Sequence, residues 1–406
     1  MTSTTLLQSP MSILAFCAGL CAFVLWAAQQ SWAKKFFSII PSIVLIYYLP
    51  TFAATFGILP ISSPVYDWMR DYLLSFSLFL LMVTADVPAI MKIGPKALAM
   101  MLFGTFGVIL GGPIVFLIFE RWLPPESWKG MAALSGSWIG GSGNFAAIKE
   151  AVGAPDNITG MFIIVDTAVA YTWMGVLLFL AAYQKRIDAW NRASTAVLDD
   201  LNRRMKDFQE ERTRPLTLFD AMLIIAVGFL GAVLCQQLAG WIHGLTHPAL
   251  QSDTPLMASI FTAFTWLVIF ISTAGIALSF TPLRKIESAG ASKLGYVALY
   301  LFLTSIGAKA DLRGILETPV LLLVGAVWIL IHIAFMFLGA RLLKAPMFLV
   351  ATGSQANIGG AASAPIVAAA YYESMAPVGV LMAVLGYLLG NYGGLVCAFL
   401  LRLISN

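Results

Sequence analysis

The sequence predicts an all-α polytopic membrane protein built from two inverted-topology repeats. Composition is the first support: 60% of the 406 residues are hydrophobic and only 11% are charged, whereas a soluble domain carries about a quarter charged residues. The length of the apolar segments is the second support, because they run for the roughly 20 residues that a spanning helix needs. Barrel strands would alternate instead, so helices remain as the spanning element. An internal duplication is the third.

Ten apolar segments are the predicted transmembrane helices. The first has no Lys or Arg before it and is too long for a signal peptide, so we expect it to be retained. The segments lie at roughly 11–29, 36–59, 72–91, 97–119 and 158–183, then at 217–243, 257–282, 293–308, 317–343 and 376–402. Two further stretches, 130–151 and 348–371, differ from these because they are rich in Gly, Ser, Asn and Ala.

Residues 185–215 are predicted to be a charged linker between a first repeat at 1–184 and a second at 216–406. The linker holds eight basic residues close to membrane ends, so the positive-inside rule places it in the cytoplasm of a bacterial cell, beneath the cytoplasmic membrane. Its mixed charges suggest a surface helix, which is either a plain linker or a regulatory or partner-binding helix. Because the basic residues lie in loops, the net charge of +4 does not indicate nucleic-acid binding.

The two halves resemble each other at a shift of 219 positions. The gapless match covers about 132–183, and within it 139–141 and 358–360 both read Ile-Gly-Gly. Ser135 falls on Ser354 in the same frame. Internal duplication is typical of secondary transporters, in which the site lies between the repeats.

The two Gly-rich stretches are the predicted substrate site. Glycines weaken a helix, and non-helical backbone at membrane depth persists only when buried or lining a cavity. Such breaks expose carbonyls and half-helix N-termini, which bind cations and anions. Packing through small residues is the alternative, but it does not explain the accompanying polar side chains. The predicted substrate-binding residues are Ser135, Ser137, Gly140, Gly141, Ser142, Gly143 and Asn144, with Ser354, Gln355, Asn357, Gly359, Gly360 and Ser363.

Asp166 lies well inside an apolar helix, where an ionisable residue is a functional-site hypothesis by default. A hydrogen bond from a protonated carboxyl to another helix is the alternative. The repeat partner of Asp166 is Leu385, so the halves differ chemically at this position. We expect Na+ or H+ as the coupling ion and no other cofactor or metal. The predicted ion-binding residues are Asp166, Thr167, Asn144, Asn357 and Asn391.

Other charged residues lie near helix ends. Asp86, Lys309 and Asp311 are either interfacial charges or gating and ion ligands. Lys149 either pairs with the adjacent Glu150 or meets a substrate carboxylate.

Enzyme activity is not expected. Ser142 between two glycines, with His332 as a base, would suit an intramembrane hydrolase, but a Gly-Ser-Gly triplet has very low specificity. No P-loop is present that would indicate an ATP-driven pump. A passive channel or a holin-like structural membrane protein is the alternative function, and it would show no saturable, ion-coupled flux.

The Gly-rich motifs at 136–144 and 353–360, the length and the charged linker resemble the YjcL-like family of bacterial membrane proteins, a domain of unknown function. More distantly, the sequence is similar to sodium-coupled 2-hydroxycarboxylate and glutamate/sodium symporters. That resemblance implies two inverted halves, each with a Gly-rich re-entrant hairpin, and an elevator movement. The expected function is symport of a small anionic or zwitterionic solute across the lipid bilayer, and the resemblance implies a homodimer. The second motif reads Gly-Gly-Ala-Ala where those carriers have Gly-Gly-x-Gly.

Overall fold

The regular structure of the protein is helical throughout the residues that its computed structural model describes, and these contain no strand. The described residues are 5–37, 40, 42–193, 214–254, 257–258, 261–309, 319–372 and 375–405. Seven unbroken helices among them are long and apolar enough to cross a membrane, or up to nine spans when two sharply bent helix pairs are counted. The predicted all-α polytopic membrane protein is thereby confirmed. Linker residues 194–213 and Asp311 lie outside the described residues.

The first half begins with a helix capped by the Ser9 hydroxyl, which accepts from the Ser12 backbone N–H. Its helices are α1 (Pro10–Gln29), α2 (Lys34–Phe37), α3 (Ser42–Thr55), α4 (Pro64–Trp68), α5 (Ser75–Val83), α6 (Val87–Met91), α7 (Pro95–Phe119), α8 (Ser127–Gly140), α9 (Ser142–Ala151), α10 (Asp156–Ala181) and α11 (Gln184–Asn191). The predicted helix at 72–91 is shifted: the chain is helical from Pro64 through a π-helical turn at Met69–Leu74, and Asp86 caps a new helix after a break.

The second half begins with a capping box, in which Thr217 and Asp220 bond each other's backbone N–H groups. Its helices are α12 (Leu218–Asp253), α13 (Ala263–Ser279), α14 (Ala291–Lys309), α15 (Val320–Leu343), α16 (Met347–Ile358), α17 (Gly360–Tyr371) and α18 (Ala376–Ile404). Helix α12 runs ten residues beyond its predicted end and contains Pro248. A short 3₁₀ helix, Pro282–Ala289, follows α13 at 94°.

Helices from both halves mix in two bundles. The scaffold bundle consists of α1, α3, α4, α5, α12, α13 and α14, and the hairpin bundle consists of α7 to α10 and α15 to α18. Close approach in the scaffold bundle depends on Gly307 of α14, where any Cβ would collide with the Tyr47 carbonyl of α3. The Thr51 hydroxyl donates to the Gly307 carbonyl across the same contact, at 2.7 Å.

The first Gly-rich stretch folds as a re-entrant hairpin, hairpin A, made of α8 and α9. The chain reverses at Gly141, whose φ of 79° and ψ of −171° suit glycine. A Cβ on Gly136 would lie 2.9 Å from the Ile148 side chain, although residues twelve apart in a straight helix are separated by about 18 Å. The stretch therefore turns back on itself and is not a broken spanning helix.

The second Gly-rich stretch forms hairpin B, made of α16 and α17, with the break at Gly359 and Gly360. Gly360 has a φ of 62°. The Gln355 amide donates to the Ser363 hydroxyl at 2.7 Å, whereas residues eight apart in a straight helix lie about 12 Å from each other. Contacts with α18 show that the chain reverses here as well: Gly353 of α16 packs against Met382 and Ala356 against Gly386, whereas Ala364 of α17 packs back against Gly379.

Helix α18 shows how the hairpins are oriented. Its first turn follows the end of hairpin B, and the Arg402 guanidinium in its last turn lies 5.6 Å from the Trp128 ring at the start of hairpin A. A helix of 29 residues is about 43 Å long, so the bases of the hairpins lie at opposite ends of the bundle. An inverted duplication requires this arrangement. The duplication and the boundaries of its repeats remain predictions.

Candidate functional site

The tips of the two hairpins meet in the middle of the hairpin bundle. A Cβ on Gly360 would lie 4.0 Å from the Gly141 Cα atom. Both glycines face Tyr387, in the middle of α18: its ring lies 3.2 Å from a Cβ position on Gly141 and 3.9 Å from one on Gly360. The structure therefore brings the two predicted stretches together at one place.

The helix ends at this junction carry partial charges. Helices α9 and α17 begin there, and their first backbone N–H groups lack intrahelical partners. Helices α8 and α16 end there with unpaired carbonyl groups. Residues 141–143, Gly359 and Ala361 are partly accessible, although most of the flanking chain is buried. The junction is therefore partly accessible and offers both donors and acceptors.

Asn144 joins hairpin A to α18 and, through α18, to the scaffold bundle. Its amide donates at 2.9 Å to both the Tyr387 carbonyl and the Asn391 side-chain oxygen. The Asn391 amide in turn donates to the Ser272 hydroxyl of α13 at 2.7 Å. Gly390 allows this approach, because a Cβ there would lie 2.6 Å from the Asn144 amide. Asn144 and Asn391, two of the three predicted asparagines, thus belong to one buried network.

Asp166 holds hairpin A against α10. Its carboxylate accepts from the Ser137 hydroxyl at 2.6 Å and from the Trp138 indole N–H at 2.9 Å. Thr167 lies beside it in sequence, but its hydroxyl donates to the Ile163 carbonyl of the same helix. The structure therefore joins Asp166, and not Thr167, to the predicted substrate-site residues.

A fully buried network holds hairpin B. Ser354 accepts from the Trp173 indole N–H at 2.8 Å, and it lies 2.8 Å from His332 Nε2. His332 Nδ1 lies 3.0 Å from the Gly104 carbonyl of α7, which can only accept, so Nδ1 carries the proton. The Ser354 hydroxyl then donates to Nε2 of a neutral imidazole. His332 therefore ties three helices together, and its hydroxyl partner is Ser354, not Ser142.

Three buried side-chain oxygens of α16 have no hydrogen-bond partner among the described residues: Thr352 Oγ1, Gln355 Oε1 and Asn357 Oδ1. The amide nitrogens of the latter two are bonded, Gln355 to Ser363 and Asn357 to the Thr105 hydroxyl at 3.2 Å. Buried acceptors in this condition are unusual and call for a physical explanation. Thr352 was not among the residues that the sequence predicted.

Four tyrosines near the tips were also missed by the sequence reasoning. The Tyr296 hydroxyl of α14 lies 2.8 Å from that of Tyr387, and the rings of Tyr296 and Tyr300 are 5.9 Å apart. Tyr171 of α10 lies close enough to Asp166 and to Tyr300 to interact electrostatically with both. These tyrosines come from three helices far apart in the chain, so no local pattern could have grouped them.

The remaining predicted site residues have local partners or lie at the tip. Ser135 is buried, and its hydroxyl donates to the Ala132 carbonyl of its own helix. Ser142 and Gly143 lie at the partly accessible tip of hairpin A. Gly140 packs against α18, where a Cβ would lie 2.5 Å from the Gly386 carbonyl oxygen.

The other charged residues form ion pairs. Buried Lys149 lies 2.7 Å from both Glu150 and Asp156, so its charge is already matched within hairpin A and α10.

Near the bundle ends, Asp86 lies 3.4 Å from Arg284, and Lys309 lies 3.8 Å from Asp67.

Comparison with known protein families identifies the family to which the chain belongs. The family described as "Protein of unknown function (DUF819)" matches residues 15–404. The chain belongs to this family. It is also similar to the uncharacterized membrane protein YjcL of Bacillus subtilis, with 27% identity over 348 residues, which are 83% of this chain and 84% of that protein. The YjcL-like resemblance predicted from the motifs is thereby confirmed, and the protein is a multi-pass member of a bacterial membrane protein family.

Proposed function

We propose that this DUF819 protein is a secondary active transporter, a sodium- or proton-coupled symporter of a small organic anion or an amino-acid-like solute. The observation that carries the proposal is the meeting of α9 and α17 at Gly141 and Gly360, in the middle of α18. Each helix N-terminus is equivalent to about half a positive charge and each C-terminus to about half a negative charge, so the junction offers an anionic group the N-termini of α9 and α17 and a cation the carbonyl ends of α8 and α16.

The surroundings of the tips support coupling to a cation. Within the described part of the chain, Tyr387 is the only side chain within 4 Å of a Cβ position on Gly141 or Gly360. Among the described residues, no Lys or Arg lies within 4 Å of either Cβ position. The helix termini and tyrosine hydroxyls supply donors, and a bound cation supplies the rest of the opposite charge. Substrate and cation then stabilise each other, which is the thermodynamic basis of symport.

Two of the unpaired oxygens of α16, Thr352 Oγ1 and Gln355 Oε1, are the proposed cation ligands, because residues three apart share one helix face. They lie in the last two turns of α16, where the negative end of the helix dipole also favours a cation. Asn357 lies on the opposite face, toward Thr105 of α7, so its oxygen does not share that site. Asp166 is the proposed charged residue of the ion response, because its carboxylate bonds hairpin A. In a proton-coupled version, the Asp166 carboxyl carries the proton.

We propose that transport moves the hairpin bundle against the scaffold bundle in an elevator-type motion. Helix α18 belongs to the hairpin bundle, and among the described residues the hydrogen bonds from its middle to the scaffold bundle join side chains to side chains. The pairs are Tyr387 with Tyr296, Asn391 with Ser272, and Tyr392 with Thr273, at 2.7–2.8 Å. Side-chain hydrogen bonds can break and re-form in a new register more readily than packed backbone.

The base of hairpin B is proposed to face the cytoplasm of a bacterial cell, with the protein in its cytoplasmic membrane. Basic residues gather at that end of the bundle, on α11 and at the end of α15, and the positive-inside rule places such ends inside. They are Lys185, Arg186, Arg192, Arg341 and Lys344. The cytoplasmic linker follows from the same rule, and the homodimer remains a prediction.

The test is thermal unfolding of the purified protein in sodium and potassium chloride at equal ionic strength, over a pH series. A ligand that binds only the folded state adds RT ln(1 + [L]/Kd) to the free energy of unfolding, about 2.7 kcal/mol at a hundred times Kd. We expect a sodium-specific rise in the midpoint that Asp166→Asn removes. Carboxylates and amino acids are then screened, and the right solute should stabilise more in sodium than in potassium.

Each outcome bears on the proposal. A steep pH dependence without a sodium response supports the proton-coupled form, provided that Asp166→Asn flattens it. No response to sodium, to pH or to any solute contradicts the proposal, and the channel or structural function then becomes the better hypothesis.

A further inference from the structure

Helix α11, the first part of the linker, carries a polar stripe. Gln184, Asp188 and Asn191 lie four and then three residues apart, which places them on one face of the helix. Each of the three bonds to a different part of the chain, and all of these parts surround the base of hairpin B. A plain linker does not require such contacts.

Asp188 caps the start of hairpin B. Its carboxylate accepts from the backbone N–H of Met347, the first residue of α16, at 2.6 Å. A negative charge at a helix N-terminus is stabilising. Burial raises the pKa of the Asp188 carboxyl, and the bond from Met347 opposes that change. The protein therefore partly desolvates a carboxylate at this position and offsets the cost with a bond to hairpin B.

Asn191 and its neighbour hold the connection that leads into hairpin B. The buried Asn191 amide donates to the Ala340 carbonyl at 3.0 Å and to the Ala345 carbonyl at 2.8 Å. The Arg341 guanidinium donates to the Trp190 carbonyl at 3.1 Å and lies 5.2 Å from the Trp190 ring. These contacts tie α11 to the end of α15 and to the connection that follows it.

The other end of hairpin B is held by α10 and α11 together. The Gln184 amide donates to the Tyr372 hydroxyl at 2.6 Å, directly after the last residue of α17. The Tyr371 hydroxyl donates to the Leu177 carbonyl of α10 at 2.9 Å. Both ends of hairpin B are therefore bonded to one continuous stretch of chain.

We propose that α11 is a latch that fixes the base of hairpin B to the end of α10. Hairpin B and α10 then move as one body, and a displacement of the linker changes how firmly hairpin B is held. Of the two interpretations of the linker, the regulatory one is therefore adopted for α11. The latch goes beyond the proposed transport function and does not depend on it.

The test is amide hydrogen exchange of the purified full chain, read at 347–358 in hairpin B and at 127–140 in hairpin A. Asp188→Ala removes the acceptor from Met347, so we expect exchange at 347–358 to become at least about fivefold faster. Asp188→Asn keeps a neutral acceptor and should lie between Ala and the wild type. Lys185→Gln, on the exposed face of α11, is the matched control.

Hairpin A is the internal reference, because no α11 side chain bonds to it among the described contacts. Selective acceleration in hairpin B with an unchanged hairpin A supports the latch. Equal rates in Asp188→Ala and Lys185→Gln overturn it, as does equal acceleration in both hairpins. Should Asp188→Ala not fold, Asn191→Ala tests the latch through its separate bonds to the Ala340 and Ala345 carbonyls. Because no substrate is added, a failed transport assay leaves this result interpretable.

Discussion

The anchoring of hairpin A by Asp166 can be separated from its charge by two substitutions. In Asp166→Asn, the side-chain oxygen can still accept from the Trp138 indole N–H, and the amide can donate to the Ser137 hydroxyl, which turns to accept. Both bonds survive and only the charge is lost. In Asp166→Leu, which places the residue found at the repeat position Leu385, both bonds are lost.

The expected loss of stability in each variant depends on whether the Ser137 and Trp138 donors still find an acceptor after the substitution. The Trp138 side chain is fully buried, so in Asp166→Leu its N–H has no acceptor, at a cost of about 1–3 kcal/mol. Ser137 can turn to a carbonyl of its own helix and loses less. Asp166→Asn gives up only the charge-assisted part of two hydrogen bonds, which should cost about 1 kcal/mol or less.

The assay is thermal unfolding of the three proteins in one detergent, first without sodium and then with it. Asp166→Leu should unfold at a lower temperature than Asp166→Asn, and neither should respond to sodium. Adding Ser137→Ala to Asp166→Leu should change little, because the bond is already gone. Equal stability of the Leu and Asn variants would refute the anchoring, and a sodium response in Asp166→Asn would refute the role of the charge.

Three further predictions concern close contacts. Gly141→Ala and Gly94→Ala should each lose about 1–3 kcal/mol of stability, since both glycines have similar positive-φ backbones. Only Gly141→Ala should also weaken the ion and solute response in thermal unfolding, because its Cβ faces the tip and Gly94 faces open space. Gly307→Ala should destabilise by about 1–3 kcal/mol through its collision between scaffold helices, whereas Gly175→Ala, with nothing within 4 Å, should be neutral or slightly stabilising. Tyr392→Phe should change the rate of uptake into proteoliposomes more than unfolding, because it removes a bond between the bundles.

The spanning helices and the Gly-rich breaks were predictable because they depend on local composition. Long apolar blocks specify helices in a membrane, and clusters of glycine with polar residues mark a break. Whether a break is a hairpin or a kink in a spanning helix was not predictable. That outcome depends on contacts such as the one between Gly136 and Ile148, which require the fold. Counting basic residues could not decide it, because the positive-inside rule places the same Lys and Arg residues in the cytoplasm whether the two stretches are hairpins or full crossings.

The hydrogen-bond partners of side chains that are far apart in sequence could not be predicted either. The sequence singled out Asn144, Asn391 and Asp166 because polar side chains in apolar helices need partners. It could not say that Asn144 and Asn391 bond each other while Asp166 bonds Ser137 and Trp138. It also grouped Thr167 with them, since adjacent positions look equivalent until the direction of each side chain is known.

The difference between local backbone features and long-range side-chain contacts also explains why the two hairpins are held in different ways. Their backbone breaks fall at Gly141 and Gly360, which are matching positions of the predicted duplication and close the repeated Ile-Gly-Gly. Their anchors do not match: hairpin A is held by a carboxylate, and hairpin B by the neutral His332 network and by α11. The hydroxyl of Ser135, the repeat partner of Ser354, donates to the Ala132 carbonyl of its own helix. A glycine at a positive φ has few substitutes, whereas a hydrogen bond to a hairpin can come from many side chains. The backbone breaks of the two hairpins are therefore alike while their side-chain anchors differ, which places the charged anchor, Asp166, beside hairpin A and the proposed cation ligands on hairpin B.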